Sequence, residues 1–410
     1  MDQDLKPFFR YRWIIIFMAM GVMMVISIYQ YSWSLFGFVI AKEFNWDLAT
    51  VGLTFTIFAY TATFIQPLSG YIADSFGPRK VSVLASALVA LGFILSSFAT
   101  SPGELYLFYG LGGMGVGILY GVSTASAIKW FPDKRGFATG LVVFGFGAGT
   151  ALFNWMIQGS LNTYGLRSTL LYAGLLMFLF LVPASLFYKY PPSQGIMPAR
   201  AKGPNSTSAI GDCKPLAMLG TYQWYLIYFC FAFTVSIVLM FGAQMKMMAK
   251  EYQLPQSYFN WLLVIFPIGN GLSRVVSGAV SDRLGREKTM MFFFGLLGVS
   301  IFGLLKFGHH PFFFVLIVFI VALLGGAPFA LYPATVGDYF GPRYSTVNYG
   351  ITYTAKAWAG LISGWASGYF VAQTGSYKVP LIVVAACSLA AAFLSNPWIL
   401  KPPKQDPKGG

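Results

Sequence analysis

A chain of 410 residues that is 57% hydrophobic and only 10% charged, with a mean hydropathy of +0.65, excludes a water-soluble globule and reads as a polytopic helical membrane protein. Its net charge of +14 points to membrane topology, with basic residues gathered on one side, rather than to nucleic acid. The three cysteines, Cys213, Cys230 and Cys387, are odd in number and far apart, a pattern that excludes a disulfide framework or a cysteine metal cluster.

Along the chain, twelve apolar runs are predicted as membrane-spanning helices: Trp13–Ile40, Leu48–Ala73, Val81–Ala99, Glu104–Ile128, Gly136–Gln158, Ser168–Tyr188, Tyr222–Met248, Ser257–Ser281, Met290–Lys306, Pro311–Gly337, Ser345–Phe370 and Val379–Leu400. Each is long enough to cross about 30 Å of hydrocarbon. The first follows basic residues but is too long for a signal-peptide core and lacks a small-residue cleavage site, so it is read as helix 1. An even number of spans puts both termini on one side. Nineteen Lys and Arg residues fall on that side, against six on the other: Lys42, Arg167, Lys246, Lys250, Lys306 and Lys378. The richer side, with both termini, is therefore expected to be cytoplasmic, in the cell inner membrane.

Between helices 6 and 7 the chain turns polar and rich in breakers, from Tyr190-Pro191-Pro192-Ser193 through Gly203-Pro204-Asn205-Ser206. This predicts an N-terminal six-helix half (1–189), a cytoplasmic linker (190–220), a C-terminal six-helix half (221–400) and a cytoplasmic tail (401–410). The halves repeat. Gly70-Tyr71-Ile72-Ala73-Asp74-Ser75-Phe76-Gly77-Pro78-Arg79-Lys80 matches the stretch from Gly278 through Asp282, Arg283, Gly285 and Arg286 to Lys288 at an offset of 208. Trp130-Phe131 matches Tyr339-Phe340 at an offset of 209. Paired loops at one spacing argue for an internal duplication, as in many secondary transporters. Gly70 and Gly278 are expected to permit close packing at a helix end, and Gly77 and Gly285 a tight turn. Asp74 and Asp282 are expected to accept bonds from the N-terminus of a neighbouring helix, and Arg79, Arg283 and Arg286 to bridge to carboxylates or helix ends. Together they form a gating motif.

The pattern Gly-x-x-x-Asp-x-x-Gly-x-[Arg/Glu]-Lys after helices 2 and 8, on a 6+6 arrangement, resembles the signature of the major facilitator superfamily. A narrower resemblance rests on Gln30-Tyr31-Ser32-Trp33, Tyr120-Gly121, Trp130 to Gly136, Leu219 to Trp224, and Asn348-Tyr349-Gly350 with Ala355-Lys356-Ala357. These look like the bacterial oxalate:formate antiporter family, which is related to the monocarboxylate transporters. The resemblance implies an all-α integral membrane fold of two six-helix bundles. It also implies that Arg274 in helix 8 and Lys356 in helix 11 contact substrate carboxylates. Two departures are visible: Gly325 stands where the family has tryptophan, and Phe146 and Phe329 where it has tyrosines, which implies a roomier, less polar cavity. The monocarboxylate transporters place an aspartate where this chain has Asn270.

The residues themselves support an anion site. Arg274 lies eight residues, roughly 12 Å of helix, from Asp282, and Lys356 thirteen residues, roughly 20 Å, past Arg343, so both sit near mid-depth. All thirteen acids map to loops, tails or helix ends. Two embedded cations without an internal carboxylate repel each other and attract an anion, because low-dielectric surroundings screen them poorly. An arginine fork holds a carboxylate through two parallel bonds, and a lysine supplies a point charge. Tyr31, Tyr120, Tyr353, Phe329, Phe146 and Tyr332 are candidate pocket walls, with Asn270 and Gln66, the repeat counterpart of Arg274, as polar candidates. The glycines Gly113, Gly117 and Gly121, and Gly360, Gly364 and Gly368, recur at spacing four and are expected to allow close helix contact. His309 and His310 are adjacent in an outer loop and suggest neither a metal site nor a buried proton relay.

The sequence is thus read as a secondary active transporter of small carboxylate anions working by alternating access, through anion exchange. The competing reading is a proton-coupled monocarboxylate symporter. A membrane enzyme lacks a nucleophile with a base, and a substrate sensor lacks a signalling domain. No cofactor, metal or nucleic acid is expected. The expected partners are a small carboxylate, a co-transported proton in the symport reading, and the bilayer around a monomer.

Overall fold

The computed structural model describes residues 6–46, 48–191 and 212–403. The middle of the expected linker (192–211) and the end of the expected tail (404–410) lie outside the described residues. In chain order the helices are α1 (Lys6–Tyr31), α2 (Trp33–Phe44), α3 (Leu48–Phe76), α4 (Pro78–Ser96), α5 (Pro102–Trp130), α6 (Arg135–Leu186), α7 (Pro215–Leu219), α8 (Tyr222–Glu251), α9 (Gln256–Leu284), α10 (Arg286–Phe307), α11 (Pro311–Gly325), α12 (Pro328–Phe340), α13 (Ser345–Tyr353), α14 (Ala355–Leu361), α15 (Ser367–Thr374) and α16 (Lys378–Leu394). A π-helical turn, Ile362–Ala366, joins α14 to α15.

These elements supply twelve passes. Among the described residues nine helical stretches are long and apolar enough to cross a membrane. One of them, α6, has 52 residues, roughly 78 Å if straight, and it turns at Gly165, whose φ of 76° and ψ of 178° break the helix into two passes. The series α13–α15 and the shorter apolar helix α16 complete the count.

Three runs expected as single helices are interrupted. The first breaks at Ser32, whose hydroxyl donates to Asn154 Oδ1 at 2.6 Å. The tenth breaks between α11 and α12 at Gly326-Ala327, ahead of Pro328, which has no N–H to continue the ladder. The eleventh is the most divided. It breaks at Thr354, whose hydroxyl lies 3.0 Å from Tyr228 Oη, and again at the π-helical turn, where Gln244 Nε2 donates to Ser363 O at 2.7 Å and to Ser367 Oγ at 2.6 Å. Each break is marked by a proline or by a polar side chain bonded across to another helix, and at the π-helical turn Gln244 serves a backbone carbonyl that the ladder leaves open.

The chain forms two compact units. Unit 1 comprises residues 1–132, 145–199 and 343–351; unit 2 comprises 133–144, 200–342 and 352–410. In unit 1, α5 packs against α1, α3 and α4. In unit 2, α8 packs against α14 and α16, α9 against α11, and α10 against α11 and α16. Each unit therefore includes a helix start from the other half of the sequence: most of α13 lies in unit 1, and the first residues of α6 in unit 2.

The repeat reappears in the backbone. Gly77 (φ 88°, ψ 157°) and Gly285 (φ 96°, ψ 157°), 208 residues apart, hold the same conformation, one that side-chain-bearing residues avoid. The glycine stripes behave differently from each other. A Cβ at Gly113 would lie 2.5 Å from Thr61 Oγ1, and one at Gly117 2.0 Å from Ala62 O, so α5 and α3 do meet closely there. At Gly360 and Gly368 the expectation of close contact fails, because an added Cβ would meet nothing within 4 Å.

Among the described glycines of unit 2 the least room for a side chain is at Gly278, where a Cβ would fall 2.0 Å from Gly136 O. Gly278→Ala is therefore expected to lower stability by about 1–3 kcal/mol, seen as a lower thermal unfolding midpoint in detergent. Gly159→Ala, with nothing within 4 Å, is expected to leave the midpoint unchanged or slightly raised.

Candidate functional site

Helix α9 carries Asn270 and Arg274 one turn apart, so their side chains share a face. That turn is clasped by two glycines of unit 2. A Cβ at Gly326 would lie 2.2 Å from Asn270 O, and one at Gly140 2.2 Å from Arg274 O. This close packing leaves Arg274 only 2% exposed. Its Nη1 donates to Val143 O at 2.7 Å and its Nη2 to Asn270 Oδ1 at 2.9 Å, while the guanidinium carbon sits 4.9 Å over the Phe329 ring.

All three partners are neutral. Lys129, Arg135 and Arg286, also buried, each pair with a carboxylate. No carboxylate pairs with Arg274 among the described residues. Removing one partner of a buried ion pair costs about 3–5 kcal/mol, which measures what a buried cation forgoes without an anion. Around it, Arg274 Nε, Asn270 Nδ2 and Ser273 Oγ are buried with no hydrogen-bond partner. Buried polar atoms are nearly always satisfied, so three orphans within two helical turns mark a place suited to accepting a ligand oxygen.

Lys356 lies in the first turn of α14, just past the break at Thr354, and is half-buried. Its Nζ donates to Tyr353 Oη at 3.2 Å and stands 5.3 Å from the centre of that ring. It is close enough to Arg274 for the two charges to interact. Both belong to unit 2, as do Tyr353, Phe329, Tyr332 and Asn270.

Phe231 of α8, absent from the sequence-based candidates, connects the aromatic members of this group. Its ring centre lies 5.0 Å from Tyr332, 6.0 Å from Tyr353 and 6.1 Å from Phe329. Tyr332 is fully buried, with its ring between those of Phe231 and Phe294. The remaining candidates form a second group in unit 1. Phe146 contacts Tyr31 at 5.6 Å and Tyr120 at 5.4 Å, edge to face. Gln66 is buried, donates to Ala62 O at 3.3 Å, and leaves its Oε1 unsatisfied.

The charged turns close around helix starts. In unit 1, Asp74 Oδ2 accepts the Val347 N–H at 3.0 Å, and its Oδ1 accepts from Thr346 Oγ1 at 2.5 Å and Lys129 Nζ at 2.8 Å. Gly70 makes room, since a Cβ there would lie 2.7 Å from Val347 Cα. In unit 2, Asp282 accepts the Gly136 and Phe137 N–H groups at 2.9 and 2.7 Å. Arg286 joins Asp282 at 2.8 Å and Asp338 at 2.8 Å, and Arg135 reaches Asp338 at 2.6 Å. Each aspartate thus satisfies N–H groups that a helix start leaves open. Of the three arginines expected to bridge, only Arg286 does; Arg79 and Arg283 are exposed and make no such bridge among the described residues.

Comparison with known proteins fits this arrangement. The sequence pattern of the Major Facilitator Superfamily matches residues 12–244 and 224–410. The chain belongs to the major facilitator superfamily. Within that superfamily it is 31% identical to the oxalate:formate antiporter of Oxalobacter formigenes, over 94% of this chain and 91% of that one. It is 34% identical to the 38 kDa protein of the 23S RNA operon of Thermoproteus tenax, over 93% and 95% of the two chains. The structure of the proton:xylose symporter XylE shares the fold, with a TM-score of 0.71, 14% identity and 97% of each chain covered.

In this major facilitator protein the glycine at position 325 does not open space as the sequence implies. A larger side chain would begin 2.5 Å from Val238, whose methyl group already fills that position. Three contributors beyond the sequence-based set brace the chain on either side of the break at Thr354: Trp358 Nε1 of α14 donates to Tyr228 Oη at 3.1 Å, Tyr228 Oη meets Thr354 Oγ1 at 3.0 Å, and Trp224 Nε1 donates to Thr352 Oγ1 of α13 at 3.3 Å. Tyr228 and Phe231 follow Trp224 at helical spacing, the one signal by which α8 announces them.

Phe231→Ala removes a fully buried ring shared by three neighbours and is expected to cost about 3–5 kcal/mol. The thermal unfolding midpoint in detergent should fall clearly, while Phe187→Ala, at a 59% exposed position, should leave it in place.

Proposed function

We propose that this protein is a secondary active transporter that exchanges small carboxylate anions across the cell inner membrane by alternating access, with Arg274 and Lys356 as the cationic contacts of the cargo. The observation that carries this reading is the Arg274 guanidinium, buried, neutral-partnered and surrounded by orphaned donors. A carboxylate satisfies both deficits at once, supplying the missing charge and accepting from Arg274 Nε and Asn270 Nδ2. The likeness to the oxalate:formate antiporter supports the cargo class, and the count of basic residues supports cytoplasmic termini. Phe329 lies against the guanidinium face and leaves its edge for the anion, while Tyr353 holds Lys356 at the start of α14.

Exchange is favoured over proton symport by Asn270. A carboxylate there, within 2.9 Å of the Arg274 fork, supplies both an internal counter-ion and a proton carrier; an amide supplies neither. With no carboxylate paired to Arg274 among the described residues, the unloaded guanidinium keeps its charge uncompensated, which disfavours transit without cargo. Asp74 and Asp282, with Gly70, Gly77, Gly278, Gly285, Arg286 and the exposed Arg79 and Arg283, form the gating motif in this reading. Release of the bonds from the two aspartates to their helix starts is the step that opens the cytoplasmic side.

In proteoliposomes preloaded with oxalate or formate, uptake of labelled oxalate is expected to exceed that into empty vesicles. Arg274→Gln is expected to reduce it about a hundredfold or more, and Arg274→Lys by about tenfold, because lysine keeps the charge but loses the planar fork. Asn270→Asp is expected to cut exchange by about tenfold and to make the residual uptake respond to an imposed pH gradient. Exchange at the normal rate in both Arg274 variants contradicts the site.

A further inference from the structure

A second cationic site stands at the far end of α8, opposite to the charged turns. Unit 2 contains a cavity of about 530 Å³ lined by Lys246, Met247, Ala249, Lys250, Leu254, Gln256 and Phe259. That volume falls in the range of about 300–1,000 Å³ common for small-molecule sites. Lys246 and Lys250 are one helical turn apart and present two ammonium groups to the same opening. Neither pairs with a carboxylate among the described residues. The acid beside them, Glu251, is already engaged, its Oε1 accepting from Ser376 Oγ at 2.6 Å and its Oε2 from the Tyr377 N–H at 2.8 Å.

The helix that follows adds to this field. Helix α9 begins at Gln256, on the cavity wall, after Pro255, which provides no side-chain cap; the Tyr258 and Phe259 N–H groups donate to Pro255 O at 3.0 and 3.1 Å, and the positive end of the helix dipole lies at the cavity. Lys250 alone is accounted for by the negative end of the α8 dipole, which favours a cation in the last turn. Lys246, a full turn earlier, is not. Two of the six basic residues on this sparsely charged face are thus gathered at one cavity, with the amide of Gln256 beside them and Met247, Leu254 and Phe259 as its apolar lining.

We propose that Lys246 and Lys250 form an outer waiting site for a small organic anion, the cargo before it reaches Arg274; this assignment of the ligand rests on the carboxylate reading given above. The site acts by raising the local anion concentration and the capture rate. Such steering falls steeply with ionic strength, because exposed charges act over a Debye length of about 8–10 Å in physiological salt. It leaves the translocation step alone.

The experiment has two arms. In phosphatidylcholine proteoliposomes, Lys246→Gln/Lys250→Gln is expected to raise the external oxalate concentration for half-maximal exchange about 3–10-fold. The maximal rate stays within about twofold and the internal half-saturation is unchanged. Added salt is expected to weaken capture by the unmodified protein and to affect the double variant less. In the second arm, a membrane-impermeant amine-reactive ester labels the protein, and mass spectrometry reads protection of Lys246 and Lys250 by oxalate, by formate or by inorganic phosphate. Protection by oxalate is expected, and it should persist in the Arg274→Gln protein, which separates this site from the central one.

Unchanged half-saturation and salt dependence in the double variant overturn the proposal. So does protection that appears only when phosphatidylglycerol is added and no soluble anion is present, which assigns the cavity to a lipid headgroup. If the unmodified protein shows no exchange, the transport reading falls by itself, and the labelling arm still decides whether the cavity takes an anion. Absence of protection by all three anions refutes it.

Discussion

The arrangement turns on a buried guanidinium that has hydrogen bonds but, among the described residues, no counter-charge. Arg274 is held by a backbone carbonyl and an amide oxygen, both neutral, on a helix clasped so tightly at Gly140 and Gly326 that the side chain has little room to retreat. In water such a charge is of little consequence; inside a protein poor in nearby dipoles it is costly. A transporter makes use of that cost. In the proposed reading the state with cargo is favoured over the state without it, because the cargo supplies the charge that the guanidinium lacks rather than a large surface of contact.

The rest of unit 2 serves to keep that deficit in place. Val143 and Gly140 belong to the start of α6, which is bound into unit 2 through Asp282, so the carbonyl that holds Arg274 sits on the same short segment as the N–H groups that the charged turn secures. The central cation and the charged turn are therefore joined by about two turns of helix. On the opposite flank, α8 braces the divided helix of Lys356 through Trp224, Tyr228 and Phe231. A helix with breaks on both sides of its lysine is easier to reorient than a continuous one, and polar bonds at each break limit how it moves.

Much of this was legible in the residues. Apolar length gave the passes, the offset of 208 located the paired turns, and the matching φ and ψ at Gly77 and Gly285 show how directly a repeat in sequence becomes a repeat in backbone. Arg274 stood out because an embedded cation is rare. Other features were hidden for physical reasons. Breaks at Ser32 and Thr354 depend on partners, Asn154 and Tyr228, that are remote in the chain. The contribution of Phe231 is invisible in a protein rich in aromatics, where one more ring carries no local signal. Glycine stripes at identical spacing proved unlike, tight at Gly113 and Gly117 and open at Gly360 and Gly368, since spacing records a face but not what covers it. The space implied by Gly325 was closed by Val238, a neighbour that no local pattern names.

The central claim is that the anion Arg274 lacks is the cargo, and ligand-dependent stability measures it most directly. Thermal unfolding of the purified protein is followed with increasing oxalate or formate, with chloride at equal ionic strength as the reference. A ligand that binds only the folded state at a hundred times its dissociation constant stabilises by about 2.7 kcal/mol. The account predicts a saturable rise in the unfolding midpoint with a carboxylate, none with chloride, and for Arg274→Gln only the smaller rise that the outer lysine pair supports, which the added Lys246→Gln/Lys250→Gln change removes. An equal rise in the Arg274→Gln protein, or no rise with any small carboxylate in the unmodified one, contradicts it.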